Sequence, residues 1–385
     1  MKKNLTTWKQ LVVKSFLPAV FLSGAVLISV APISCKVTEE GIQLLTGDFS
    51  VPHIESTSIA DDQTFLLCFN KPVSSIEATV TYQDENEETV SFATQGTLSN
   101  ENKTACLTFP EKTIIGQSYT ICGTVTDCNG NTLSFKLPFT GYNADVPILA
   151  LSEIRSEHYT SSKTEIAKHK FEFIEVYVIK SGNLAGLELV SAYDGESKKY
   201  CFPTINVKAG EYIVVHLRSP GENALDELED DLTLSTALDS CPTARDLWAS
   251  NTSTCLGKTD VILLRDCNNN SIIDAVLFAE NTGGSWKTSY STYLADVQKT
   301  GVWTDSTGLA TNAISSAVVS NGVTSTRTLS RQNIQSLATA YTQTNQMSKD
   351  DASQWIIAIA TSDKNKNSSG GTPGYTNSTD AYIKK

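Results

Sequence analysis

Past residue 35 the chain has no apolar run approaching the roughly 20 residues that a bilayer-spanning helix needs. Cations are also scarce. With residues 1–34 set aside, 26 basic side chains stand against 42 acidic ones, a net charge of −16. Nucleic-acid backbones are bound by Lys and Arg that neutralise phosphates, so this deficit argues against a nucleic-acid partner. The four histidines are scattered and no Cys-x-x-Cys pair occurs, which removes the usual zinc-site spacings. Gly-x-Ser-x-Gly, His-Glu-x-x-His and a P-loop are absent too. Only 8% of residues are aromatic, while Thr, Ser, Val and Ile are abundant, a bias that favours strands over helices. These gaps together predict an all-β, non-enzymatic protein without a resident cofactor.

What is present begins at the N-terminus. Lys2, Lys3, Lys9 and Lys14 precede any acid, and the apolar stretch from Phe16 to Ile33 follows them. A basic start, an apolar core and small residues before a break form an export signal. The residue at the break is Cys35, after Ile33 and Ser34, and this segment resembles a bacterial lipobox. The resemblance implies a signal peptide over 1–34, lipidation of Cys35, and a membrane partner through that lipid. Pro32 departs from the pattern, which prefers Leu there. The competing reading is an ordinary secretory signal or an uncleaved anchor, with Cys35 incidental.

Nine cysteines less Cys35 leave eight, an even number that suits disulfides outside the cytoplasm. Eight cysteines allow 105 pairings, so sequence alone does not choose among them. Cys68 and Cys106 both point away from the apolar faces of their strands, and a cross-strand bridge follows if those strands are neighbours. Cys122 with Cys128 offers a hairpin closure. Cys241 and Cys255 bracket a loop that a bridge would staple.

After a tether over 35–50, residues 51–143 alternate as strands do. Phe65, Leu67 and Phe69 share one face, as do Leu107 with Phe109 and Tyr119 with Ile121 and Val125. Asn129-Gly130 supplies a tight turn. Leu67-Cys-Phe-Asn-Lys-Pro-Val73, Gly116-Gln-Ser-Tyr119 and Gly123-Thr-Val-Thr-Asp-Cys-Asn-Gly-Asn131 resemble bacterial immunoglobulin-like domains of cell-surface proteins. A boundary is expected at 144–147. Beyond it, Ile148–Ile154 with Phe173–Tyr177, Asn183–Leu189, Ala209–Val215, Asp260–Phe278, Thr328–Arg331, and Trp355 with Thr372–Asn377 resemble lamin-tail domains, in order, over 148–377. That resemblance implies a second immunoglobulin-like β-sandwich, with insertions at 218–258 and 280–326 and a tail over 378–385. Tandem sandwiches behind a lipoprotein signal imply a cell-envelope module for binding, adhesion or structural display, facing a protein or glycan ligand. The alternative is an accessory or cryptic hydrolase acting on extracellular polymers.

Several constellations hint at chemistry. Asp266, Asn268, Asn270 and Asp274 place oxygen ligands through a turn where Ca²⁺ is conceivable, although an EF-type loop needs Gly at Ser271 and Glu at Leu277. The plainer reading is a hairpin turn. Asp226–Asp231 carries five carboxylates in six positions, a run that ordinarily stays solvated. Glu153 and Glu175 invite comparison with a glycosidase pair, but they lie on strands expected to serve structure. His216 falls in a buried strand and reads as a hydrogen-bonded core residue. Trp248, Trp286 and Trp303 fall in the long loops, where exposed indoles would form a sugar-binding platform.

Overall fold

The computed structural model describes residues 37–38, 41–42, 48–159, 169–359 and 371–383. The lipidation expectation at Cys35 therefore falls outside the described residues. The chain divides into compact units at 1–48 and 49–385. In the first, Val37–Thr38 pairs antiparallel with Gly41–Ile42.

The second unit is all-β in its architecture. Its N-terminal part has eight strands: β1 (Ile54–Asp61), β2 (Thr64–Phe69), β3 (Val73–Gln83), β4 (Thr89–Ala93), β5 (Gln95–Ser99), β6 (Thr104–Thr108), β7 (Ser118–Asp127) and β8 (Thr132–Thr140). They form two antiparallel sheets in the orders β1-β2-β6-β5 and β8-β7-β3-β4. Period-two alternation decides which side chains enter the core. Phe65, Leu67, Phe69 and Leu107 from one sheet meet Val80, Ile121 and Val125 from the other, all buried. Phe139 closes the layer, with ring centroids 5.0 Å from Phe65 and 5.2 Å from Tyr119. Each fully buried side chain of this size contributes about 1.5–3 kcal/mol.

The second part is larger. Its labelled strands are β9 (Ile148–Arg155), β10 (Phe173–Lys180), β11 (Leu187–Ser191), β12 (Tyr212–His216), β13 (Arg245–Trp248), β14 (Asp260–Asp266), β15 (Ile272–Ala279), β16 (Thr328–Arg331) and β17 (Trp355–Ala358). Two helices join them, α1 (Ser291–Thr300) and α2 (Ile334–Thr344). One sheet runs β13-β12-β10-β9-β16-β17. The other runs from Tyr200–Cys201 through β11, β14 and β15 to Val318–Val319. Leu151, Ile174, Val176, Ile213 and Val215 pack against Leu189, Ile262, Leu264 and Val276 between the sheets.

The slipped alternation at Phe173-Ile174 is explained by burial on both faces. Ile174, Val176 and Val178 enter the inter-sheet core, while Phe173, Tyr177 and Ile179 lie under a second cluster with Ile334 and Leu337 of α2. The β9–β10 register shifts at Ile148/Leu149 and at Leu151/Glu153, neither of them at Phe173-Ile174. The stretch at 280–326 is not merely a polar loop. Tyr290, Leu294, Val297 and Trp303 are buried in the inter-sheet core, and α1 ends at Gly301 in the left-handed conformation that caps helices.

A seam joins the two sandwiches. Asn143 Nδ2 donates to the carbonyls of Asn183 (2.7 Å) and Ala185 (2.9 Å), and the Asn183 amide donates to Asp145 O at 2.6 Å. Gly116 has φ +77°, and a Cβ there would lie 1.9 Å from Thr204 Oγ1, so glycine is required by both backbone and space.

The cysteine pairings are corrected. All eight described cysteines are free thiols. Cys68 lies opposite Thr104 and Cys106 opposite Leu66, so the two thiols are diagonal neighbours. Diagonal positions sit about 7–8 Å apart, beyond the ~3.5–4.5 Å Cβ spacing of a disulfide. Cys122 and Cys128 are six residues apart along β7 and its turn, about 20 Å at strand rise. Cys241 packs on the outer face of the six-stranded sheet, whereas Cys255 lies in the inter-sheet core.

Candidate functional site

The chemistry-bearing residues converge on the outer face of the six-stranded sheet. There, β-pairing sets Ser330 beside Glu153, Glu153 beside Glu175, Glu175 beside Val214, and Val214 beside Asp246. A row of three carboxylates thus crosses four strands, and all three are fully buried. Burial raises the pKa of Glu153. Burial and then the neighbouring Glu153 charge push the Glu175 carboxyl well above its ordinary value.

Residues 371–378 lie over this row. Glu153 accepts from the Thr372 amide at 2.9 and 3.1 Å and from the Thr328 and Ser330 hydroxyls. Glu175 accepts from the Gly374 amide at 2.6 Å and from Ser152 Oγ at 2.7 Å. Asn377 Nδ2 donates to Ser152 O and Arg331 O. The glutamates therefore hold main-chain N–H groups of the closing segment. A retaining glycosidase needs its two carboxyls open to a sugar ring, and this pair is occupied by backbone.

His216 behaves as the sequence predicts. Its Nε2 is 2.7 Å from Asp246 Oδ1, and its ring stacks on Trp248 at 3.8 Å. Asp246 Oδ2 accepts from the Cys241 amide at 2.8 Å.

The acidic run is exposed at four of its five acids, and the correction falls on Glu227, which is fully buried. Glu227 and the exposed Asp226 cover the open edge of β13, which would otherwise present unpaired amides. Glu227 Oε2 accepts from the Asp246 amide (2.8 Å) and Asp226 Oδ1 from the Trp248 amide (2.6 Å). Arg245 Nη1 donates to the carbonyls of Glu227 and Glu229, and its Nε pairs with Glu211 at 2.7 Å. Asp230 pairs with the exposed Lys208 and Asp231 caps Thr233. Outside this edge the insertion exposes Leu225, Leu228 and Leu234. A cavity of about 250 Å³ opens in the same insertion, lined by Pro220, Glu222, Asn223, Thr236, Ala237 and Leu238.

The calcium reading is corrected as well. Asp266 Oδ1 accepts from the Asn268 amide within the turn. Asn268 Oδ1 accepts from the Thr140 amide of the first sandwich at 2.8 Å. Asp274 is buried on β15, taking the Leu151 amide and Arg331 Nη1. Asn270 adopts φ +57° and donates its amide to Asp266 O. The four side chains do not converge, and among the described residues no group of three His, Cys, Asp or Glu is arranged to hold a metal. The turn is part of the seam between sandwiches. The indole platform is corrected too: Trp303 and Trp248 are buried, and half-buried Trp286 donates to Asn312 O.

Sequence reasoning missed two things: the edge-covering role of Asp226 and Glu227, and the buried Arg331–Asp274–Asp350 group between the sheets. Their local sequence carries no signal of these pairings, because the partners are 19 to 57 positions away.

Residues 147–357 match the family model TP_1001_2nd, described as a protein second domain. A chain of Treponema pallidum (strain Nichols), named as an uncharacterized protein, is 31% identical over 171 residues, 44% of this chain and 41% of its own length. The chain thus spans under half the length of that relative. Among solved structures, a DUF4876 family protein from Bacteroides thetaiotaomicron VPI-5482 overlaps at TM-score 0.24 and 13% identity, over 68% of this chain and 84% of that one. Domains 1–6 of the surface layer protein SbsC overlap at TM-score 0.23 and 15% identity, over 57% and 39% respectively.

Proposed function

This chain belongs to the TP_1001_2nd family, and from that premise we propose that it is a lipid-anchored, non-catalytic binding module displayed at a bacterial cell envelope. Cys35 tethers it, the first sandwich is the stalk, and the second, read as lamin-tail-like, is the head. The observation that carries the binding role is the insertion at 218–258. The Asp226 and Glu227 carboxylates fix it to β13, and it exposes Leu225, Leu228 and Leu234, which alternate in sequence with Glu222, Glu229 and Asp231. Exposed leucines interspersed with acids suit a protein ligand with apolar and basic side chains. The non-catalytic reading is supported by the fate of Glu153, Glu175, His216 and Asp246, each engaged in hydrogen bonds beneath the surface.

Palmitate labelling of wild type and Cys35→Ala, followed by protease shaving of intact cells, tests anchor and exposure together. Label on both chains would remove the anchor. Retention of envelope or host-matrix proteins by the head, lost on Leu225→Ser/Leu228→Ser/Leu234→Ser with folding intact, tests the surface. Turnover of a polymer that is abolished by Glu175→Gln would favour the hydrolase instead.

A further inference from the structure

The first sandwich carries a pair of thiols that neither its core nor its seam uses. Cys68 on β2 lies between buried Leu67 and Phe69, and Cys106 on β6 lies between buried Ala105 and Leu107. Strand alternation therefore turns both sulfurs to the outer face of the β1-β2-β6-β5 sheet, where both are half-buried and free. Register sets Cys68 between Ser56 and Thr104, and Cys106 between Leu66 and Thr97. None of these four neighbours is charged, and Cys68 Sγ lies 3.9 Å from Thr104 Oγ1. The two thiols are thus diagonal neighbours on adjacent central strands, held there by the β2–β6 ladder.

That spacing selects among the reactions open to two thiols. A disulfide holds its sulfurs about 2.0 Å apart at a Cβ separation of ~3.5–4.5 Å, too short for a diagonal pair. Two thiolate–metal bonds of about 2.3 Å laid in line hold the sulfurs about 4.6 Å apart. The extra span of about 2.5 Å widens the matching Cβ separation to about 6–7 Å. Diagonal neighbours have Cβ atoms somewhat under ~7–8 Å apart, which meets that requirement. Zinc and iron–sulfur clusters need four ligands, and no carboxylate or imidazole stands at the four flanking positions to supply the rest. Among metals that soft thiolates select, Cu(I) is the one satisfied by two sulfurs in line.

We propose that Cys68 and Cys106 form a two-sulfur site for Cu(I) on the outer face of the first sandwich. Each thiol releases its proton to solvent as its sulfur binds the ion, so binding tightens as pH rises. The strands need not move, because the ladder already sets the separation.

The test uses the full chain, reduced and kept free of oxygen, with Cu(I) titrated against bicinchoninate as the competing chelator. One equivalent is expected to stay on the chain. Cys68→Ser and Cys106→Ser are each expected to lose it, whereas Cys122→Ser and Cys201→Ser are expected to keep it. Bound Cu(I) is also expected to shield Cys68 and Cys106 of the unaltered chain from pulse alkylation while Cys122 and Cys128 still react, a readout that requires no variant to fold. X-ray absorption is expected to show two sulfur neighbours alone. No retained copper, retention that survives either serine variant, unshielded Cys68 and Cys106, or equal retention of Zn²⁺ overturns the proposal.

Discussion

Glu153 and Glu175 face each other across the β9–β10 pair, and each takes a main-chain amide from the closing segment, Thr372 for the first and Gly374 for the second. Two like charges at that spacing without a shared cation would repel strongly in a dry interior. A proton on Glu175, the carboxyl that burial and the Glu153 charge push up, would relieve this and leave the segment's N–H groups serving one carboxylate and one neutral acid. Glu175→Gln imitates the protonated form and is expected to shift stability by less than about 1 kcal/mol at neutral pH. Glu153→Gln removes the charge that the Thr372 amide and two hydroxyls serve, and is expected to cost about 1–3 kcal/mol. Thermal unfolding of both variants checks the asymmetry, and equal losses would refute the assignment of the proton.

The pH dependence follows from the raised acids. Burial lifts Asp260 to about 7 from an ordinary value of 3.8, against hydrogen bonds from Ser191 and the Gly257, Val261 and Tyr193 amides. Asp350 is likewise lifted to about 7, with Arg331 opposing the shift. Between these values the folded chain binds more protons than the unfolded one, so stability falls as pH rises from about 4 to 7. Chemical denaturation is expected to give a higher midpoint at pH 5 than at pH 8. Asp260→Asn is expected to flatten that difference, and an unchanged slope would exclude Asp260 as its source. Asp127 works the other way: its Lys71 partner holds its carboxyl far below the usual range, so its contribution is lost only in strong acid.

Much of the fold is legible from alternation. Phe65, Leu67 and Phe69 announce a one-sided strand, and Val261–Leu264 with Ile272–Phe278 announces the hairpin that the structure has. What is not legible depends on distant partners. The eight cysteines suggest bridges by number and compartment, but bridging depends on Cβ separation, which register decides. Glu227 looks like part of a solvated run because its backbone partner, Asp246, lies 19 positions further along, on β13. Asn268 looks like a cation ligand because Thr140, its actual partner, belongs to the other sandwich.

The acidic run therefore divides into inner and outer members. Asp226→Ala and Glu227→Gln each leave a β13 amide short of its acceptor, and each is expected to cost about 1–3 kcal/mol. Glu227→Gln is the milder, since its amide oxygen still accepts one bond. Glu229→Gln and Asp231→Asn, on the exposed side, are expected to stay within about 0.5 kcal/mol. Losses of the same size at all four positions would show that total charge, not edge cover, governs the run.

The thiol state gives the last test. Cys241 is packed under Gly374, Cys255 sits between the sheets with its Sγ near Leu217 O, and burial raises the Cys255 thiol to about 11. A thiol held that far up is almost wholly protonated at neutral pH and reacts slowly. Exposed Cys122 and Cys128 are expected to alkylate quickly in the folded chain, and Cys201, whose thiol burial and Glu188 push up, more slowly. Cys241 and Cys255 are expected to alkylate only after unfolding, together with the half-buried remainder at intermediate rates. Mass mapping of a non-reduced digest, after pulse alkylation in native and denaturing buffer, reads all eight at once. Eight alkylated cysteines in denaturant without reductant support the register described for β2–β6 and β7, whereas a mapped Cys68–Cys106 bridge would require those strands to slide.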